Sequence, residues 1–418
     1  MTGINPLLIL PFAILLSAMA FGPVLAPNWW ARHYAKVALG LAAVMAVIYF
    51  FVLRDFASIL HAAREYFSFI TLITCLFVVS SGIQINVRSR ARPFANVIFL
   101  LAGAVAANVL GTTGAAILLI RPWLRINQDR VAAHHVVFFI FLVANVGGCL
   151  TPIGDPPLFL GYLEGIPFWW VFKNCWPPWA TAVGLLLAIF YAMDKIHFAR
   201  ACRKPGSIRT VEQQWELTGW PNFFFLAMII GAVFVEHPIL LREILMITAA
   251  AASYFTTRKS IHVANGFNFH PVNEVAILFV GIFATMTPAL AWLDQHAGRL
   301  LGEHPSPDIF YWGTGGLSGV LDNAPTYLGF LSALRGQAGL PEIPSLLAQF
   351  PAQVLAISVG AVFFGAATYI GNGPNFMVKT IAEQHGVRVP SFMDFIIKFS
   401  LPCLLPVLIT VWLFFFYG

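Results

Sequence analysis

Apolar residues along this chain come in long blocks separated by short polar stretches. Windows of roughly 20 apolar residues, enough for a helix to cross a bilayer, fall at 4–26, 34–53, 66–87, 131–163, 166–193, 220–236, 238–257, 272–292, 352–385 and 391–417. The windows at 131–163 and 352–385 are too long for one straight helix. Each contains a Gly/Pro interruption, "TPIGDPPLF" from Thr151 and "TYIGNGPNF" from Thr368. Two further stretches, 93–121 and 308–334, are long for one span and short for two. Each carries a polar, helix-weakening tip near its middle, "LGTTG" at 110–114 and "LDNAPT" at 321–326. The pattern predicts an all-α polytopic membrane protein with two re-entrant hairpins and two broken transmembrane helices.

Composition agrees. The chain has 418 residues, 59% hydrophobic and 10% charged, where a soluble domain is nearer half apolar and a quarter charged. The net charge of +6 is explained by Lys and Arg collecting in cytoplasmic loops, and no basic arm or aromatic–basic interleave points to nucleic acid. Cys75, Cys149, Cys175, Cys202 and Cys403 show no paired spacing, so free thiols are expected. The N-terminal segment lacks a basic n-region and reads as a retained first span.

Charge threads the spans. Arg88, Arg90 and Arg92 precede the first hairpin, and Arg121, Arg125 and Arg130 follow it. Both its ends are therefore expected on the cytoplasmic side, together with a basic linker, 194–219 (Lys195, Arg200, Arg203, Lys204, Arg209), and with Arg258 and Lys259. Both termini then lie outside, and the second hairpin enters from the outer face, Arg335 being a mild exception to its low positive charge. Aromatic residues at Phe168–Trp170 and Trp176–Trp179 mark the outer interface belt.

The halves also match each other. Gly148, Thr151, Ile153, Gly154, Pro157 and Phe159 align with Gly365, Thr368, Ile370, Gly371, Pro374 and Phe376, 217 positions on (368 − 151). The tips "VLGTTGA" and "VLDNAPT" align at 211 (320 − 109). One half starts outside and the other inside, so the expectation is two inverted-topology repeats, 1–193 and 220–418, joined by the linker. Such repeats hold substrate and coupling ions between half-helix ends at their interface.

The four breaks carry the candidate chemistry. Gly154, Gly371 and Gly373 are expected to permit backbone conformations closed to other residues. Pro156, Pro157, Pro325 and Pro374 stop the helix ladder and free carbonyls. Carbonyls with Asn and Thr oxygens suit a hard cation such as Na⁺, and free helix N-termini suit an anion. Asp155 and Asp322 are the two carboxylates placed at membrane depth. Each is expected to be an ion-binding group, exchanging a proton for Na⁺, or merely the N-cap of the helix that follows, and the two roles are compatible. Asn145, Asn323, Asn372 and Asn375 are cavity candidates. Thr151 and Thr368 either line the cavity or bond back to helix carbonyls, and Asn108, Thr112 and Thr113 stand behind them.

Other polar residues have plainer readings. His134 and His135 read as interface histidines, with a proton relay as the alternative. Glu274 reads as a first-turn carboxylate, with an ion-entry role as the alternative. Glu164 falls at the outer interface, and Asp394 and Lys398 form an i,i+4 pair. Nucleotide, metalloprotease and hydrolase motifs are missing, so an enzyme is not expected, nor a cofactor beyond Na⁺ as transported or coupling ion. A membrane-embedded enzyme or scaffold would need a catalytic dyad or a large soluble interface, and neither is visible.

"NVGGCLTPIGDPP", "LDNAPT" and "GNGPN" resemble the ion transporter superfamily, which holds NhaD-type sodium/proton antiporters, arsenite permeases, citrate–metal transporters and divalent anion/sodium symporters. The resemblance implies two inverted repeats, each with a hairpin and a broken helix, and a homodimer. It implies that Asn145, Thr151, Gly154, Asp155, Asp322, Asn323, Thr326, Thr368, Asn372 and Asn375 hold substrate and Na⁺. The symporters carry Ser-Asn-Thr at both tips; here stand Gly111-Thr112-Thr113 and Asp322-Asn323-Ala324. Pro157-Leu158 stands where the usual pattern has Pro-Asn. "EVAILFVGIFATMTPAL" from Glu274 resembles the antiporter branch. The expected function is sodium/proton antiport by alternating access in a bacterial inner membrane, with membrane lipid and small ions as partners and competitive binding at the aspartates. The alternative is a citrate-like di- or tricarboxylate transporter coupled to Na⁺ or H⁺, its small carboxylate held by Asn, Thr and half-helix N-termini.

Overall fold

The computed structural model describes residues 5–88, 92–202, 214–235, 237–301 and 306–417. Arg90, Arg203, Lys204 and Arg209 lie outside them, and the side chains of Arg88 and Cys202 are likewise not described. The other four cysteines are buried free thiols.

The chain opens with α1 (Leu10–Leu25), α2 (Pro27–Val47) and α3 (Phe56–Ser81). α3 starts ten residues before the window at 66–87. Asp55 caps it by accepting from the Ser58 amide at 3.1 Å, which carries Arg64 and Glu65 into the span. Beyond it, β1 (Gln84–Arg88) pairs antiparallel with β2 (Gln214–Thr218), a pairing the apolar pattern does not announce.

α4 (Pro93–Ile126) is the first hairpin. A straight helix of its 34 residues would be about 51 Å long. Instead Asn96 and Asn127 exchange side-chain hydrogen bonds of 2.8 and 3.1 Å, and Phe99 stacks on Trp123. The reversal is at Gly111, φ 72° and ψ 154°, a conformation closed to residues bearing a Cβ. Because α4 runs to Ile126, Arg121 and Arg125 sit inside its last turns, not beyond it. The first broken span follows: α5 (Ala133–Leu142), a tight 3-10 turn at Val146–Leu150, then α6 (Pro156–Leu163).

α7 (Phe168–Cys202) takes up the start of the expected linker, so Asp194 to Cys202 are helical and 214–218 is strand. α8 (Pro221–Val233) and α9 (Leu241–Thr256) follow, shorter than a full span, then α10 (Lys259–Ala264) and α11 (His270–Leu301). Since α11 starts at His270, Glu274 lies in its second turn and not its first. The second hairpin is α12 (Pro307–Ser318) and α13 (Asn323–Ala338), with Phe310 against Phe330. α14 (Ile343–Gln349) bends by 102° into α15 (Pro351–Phe364). α15 ends in a 3-10 turn at Gly365–Ala367, and α16 (Gly373–Gln384) completes the second broken span. The last span begins at α17 (Phe392–Phe395), passes through a π-turn at Ile396–Leu404 that accommodates Pro402, and ends in α18 (Leu405–Phe415).

Among the described residues, eight helices are long and apolar enough to cross a bilayer. The broken spans form the core: every residue of α5 from His134 to Leu142 is buried, as is nearly all of α15. Helices apolar all round belong inside. α1, α2, α8 and α9 instead expose Leu, Ile, Val and Phe, as a lipid-facing layer must. Among the described residues, several contacts join segments expected on the cytoplasmic side. Arg125 donates to Asn86 at 3.3 Å, Arg130 pairs with Asp194, and Asn265 donates to the Ser81 and Ile83 carbonyls. Arg335, the exception, is accounted for at the opposite end by its ion pair with Glu164 at 2.7 Å.

Candidate functional site

The four breaks meet at one carboxylate. Asp155 is 1% exposed. Its Oδ1 accepts from Thr112 Oγ1 at 2.7 Å and Asn372 Nδ2 at 2.9 Å, and its Oδ2 from Asn323 Nδ2 at 2.7 Å. Those donors come from the first hairpin tip, the second broken span and the second hairpin tip. Asp155 stands at the N-cap of α6 but makes no capping bond; its side chain turns inward instead. No Lys or Arg pairs with it among the described residues, so its charge is balanced by neutral donors alone.

The other aspartate behaves differently. Asp322 caps α13, accepting from the Ala324 amide at 3.1 Å. It lies close enough to Asp155 for the two carboxylates to repel, but shares none of its donors. Of the two carboxylates, Asp155 centres the cluster and Asp322 caps α13.

The asparagines extend the cluster. Asn145 Nδ2 donates to Asn375 Oδ1 at 2.7 Å and to the Ile140 carbonyl at 2.8 Å. Asn375 Nδ2 donates to the carbonyls of Gly365 and Thr368. Two acceptors are left over: Asn145 Oδ1 and Asn323 Oδ1 are buried with no partner. A Cβ at Gly365 would stand 3.2 Å from Asn145 Oδ1, 3.2 Å from the Gly371 carbonyl and 3.3 Å from Asn323 Nδ2. The glycine therefore lets these groups approach one another more closely than a side chain there would allow. Buried polar atoms without partners cost free energy, and oxygens are what a hard cation requires.

The threonines bond to helix carbonyls, though of the neighbouring hairpin and not of their own segment. Thr151 Oγ1 donates to the Asn108 carbonyl at 2.6 Å, and Thr368 Oγ1 to the Gly319 carbonyl at 2.8 Å. Each ties its break to the hairpin of its own half, at equivalent positions of the two alignments. Thr326 bonds back to the Asp322 carbonyl at 2.9 Å and offers the site nothing. Asn108 is a brace, donating to Gly147 and accepting from the Leu150 amide.

The break glycines are needed for closeness. Gly154, Gly371 and Gly373 are not among the positive-φ residues, contrary to the sequence expectation. A Cβ on Gly154 would collide with the Gly148 carbonyl; one on Gly371 would come 2.7 Å from the carbonyls of Gly365 and Ser318. Gly373 has open space around it.

Sequence reasoning undervalued Thr112, although the tip alignment sets it opposite Asn323. It missed Asp194, which lies just past an apolar window. Asp194 is fully buried at the base of the first hairpin, where Arg130 grips both its oxygens and Asn96, His134 and His135 surround it. His134 and His135 are buried neighbours of the Arg130–Asp194 ion pair. Asp394 and Lys398 pair at 2.8 Å as expected.

Broken spans and hairpins closing around an unpaired carboxylate define a polytopic membrane transporter. Residues 1–416 match a family model described as "Putative citrate transport", and the chain belongs to that family, in keeping with the ion transporter superfamily. No curated protein sequence matches it.

Proposed function

We propose that the protein is a secondary active transporter of a bacterial inner membrane that carries a citrate-like carboxylate together with a cation, and that Asp155 seats the cation. One observation carries the reading: the buried Asp155 carboxylate has only neutral donors around it, and Asn323, one of those donors, and Asn145 each keep a buried side-chain oxygen without a partner. A cation in this cluster would supply the missing charge and partners. The family description supports a carboxylate as cargo. With no cationic side chain at Asp155, a polyanion approaching it is repelled unless a cation arrives first or with it.

Repeats inverted about the site give the means of alternating access. The matched Thr151 and Thr368 bonds support this, as does the matched backbone: Asp155 (φ −143°, ψ 145°) and Asn372 (φ −153°, ψ 140°) are 217 positions apart. A second reading, sodium/proton antiport, is favoured by the same lone carboxylate, because competition between Na⁺ and H⁺ for one group suffices for exchange. Proteoliposomes loaded with a pH dye separate the two. Labelled citrate uptake that requires a cation supports the first; Na⁺-evoked proton movement without citrate supports the second. Neither activity in sealed, oriented vesicles would overturn both.

A further inference from the structure

Two clusters place histidine and carboxylate ligand atoms within 4.8 Å of one another: His134, His135 and Asp194, and His61, Glu65 and Glu164. The first is closed to a metal. Arg130 occupies both Asp194 oxygens, and the Ala132 amide donates to His135 Nδ1 at 3.2 Å. That bond leaves the proton of the neutral imidazole on Nε2, the atom facing Asp194 at 3.1 Å, so His135 has no lone pair to offer.

The second cluster is open. His61 and Glu65 sit one turn apart on α3, with Nε2 3.4 Å from Glu65 Oε1. The His61 side chain is 72% exposed, and its ring has no other partner among the described residues. Its proton can therefore rest on Nδ1 while Nε2 ligates. Glu164, at the end of α6, gives Oε2 to Arg335, and its carboxylate also faces Glu65 within hydrogen-bonding reach, where a metal would displace the shared proton.

Charge points the same way. Glu65 and Asp294 both face Glu164 and the Arg335 guanidinium, and Glu65 lies within hydrogen-bonding reach of Glu164. Carboxylates this close repel unless a proton or cation lies between them. A divalent cation takes the place of the proton. One imidazole nitrogen with two carboxylate oxygens suits Mn²⁺ or Zn²⁺ better than Ca²⁺ or Mg²⁺, which take oxygen ligands throughout.

We infer that His61, Glu65 and Glu164 form a divalent transition-metal site. It is separate from Asp155, with the eight residues of α6 between them, about 12 Å of helix.

The test is Mn²⁺ titration of the purified full-length protein, followed by electron paramagnetic resonance. The expected result is a single bound Mn²⁺ per chain, displaced by Zn²⁺, with spin-echo modulation from a coordinated imidazole nitrogen. His61→Ala, at an exposed position, removes the modulation and weakens binding about tenfold or more. Glu65→Gln weakens it similarly, while Asp155→Asn and His134→Ala leave it unchanged. Binding that survives His61→Ala with its nitrogen signal, that disappears in Asp155→Asn or His134→Ala, or that is absent at millimolar Mn²⁺ would overturn the inference.

Discussion

Thr112 and Asn323 hold opposite oxygens of the same carboxylate. Thr112 donates to Asp155 Oδ1 and Asn323 to Oδ2, each at 2.7 Å. They are equivalent residues of the two hairpin tips, so the Asp155 carboxylate joins the halves of the molecule. Moving either hairpin breaks one of these bonds, and a cation that replaces the lost donor favours one arrangement over the other.

Asn323→Ala removes both the donor to Asp155 and one orphaned oxygen. The half-saturating cation concentration for transport is expected to rise about tenfold or more, an effect of roughly 1–3 kcal/mol. Cation titration of uptake in proteoliposomes measures it. Thr326→Ala, whose hydroxyl serves only its own helix, leaves that concentration unchanged.

The glycines give a contrast in one kind of substitution. Gly154→Ala and Gly371→Ala force the break backbone apart and should abolish uptake, with overpacking costing about 1–3 kcal/mol. Gly373→Ala, with open space at its Cα, retains it. Uptake assays with surface-normalised protein distinguish them, and equal activity in all three would count against close packing of the breaks.

Asp194→Asn leaves Arg130 buried without its counter-charge. A loss of roughly 3–5 kcal/mol is expected, seen as a lower melting temperature in detergent. Adding Arg130→Met should recover most of it. If the single variant melts like the parent, the ion pair is not what fastens the base of the first hairpin to α7.

The proposed competition of protons and cations at Asp155 fixes the sign of the expected pH dependence. Acidification protonates the carboxylate and raises the half-saturating cation concentration, by at most tenfold per pH unit. Raising the pH lowers it to a plateau. Uptake kinetics across a pH series measure this, and a half-saturating concentration that falls on acidification contradicts competition.

Much of this was legible in the sequence because membrane helices advertise their interruptions. Gly and Pro inside apolar windows located both broken spans, and the tips "LGTTG" and "LDNAPT" located both hairpins. What stayed hidden depends on the direction of a side chain. Asp155 and Asp322 look alike as residues before a helix, yet one turns inward and the other caps. Thr151 and Thr326 are both polar residues near a break, yet one braces a hairpin and the other its own turn. The start of α3 was obscured by Arg64 and Glu65, whose charges end an apolar window without ending a helix. Gly154 was expected to matter for backbone freedom and matters for the absence of a side chain.

Asp155, and not Asp322, is proposed to seat the coupling cation. The most direct measurement is cation-dependent labelled citrate uptake, with proton movement recorded in parallel, in proteoliposomes of the parent protein, Asp155→Asn and Asp322→Asn. The account predicts that Asp155→Asn loses all cation dependence. Asp322→Asn should keep it, with some loss of stability, because asparagine also caps helices. Full cation-coupled transport in Asp155→Asn, or its loss in Asp322→Asn alone, would contradict the account.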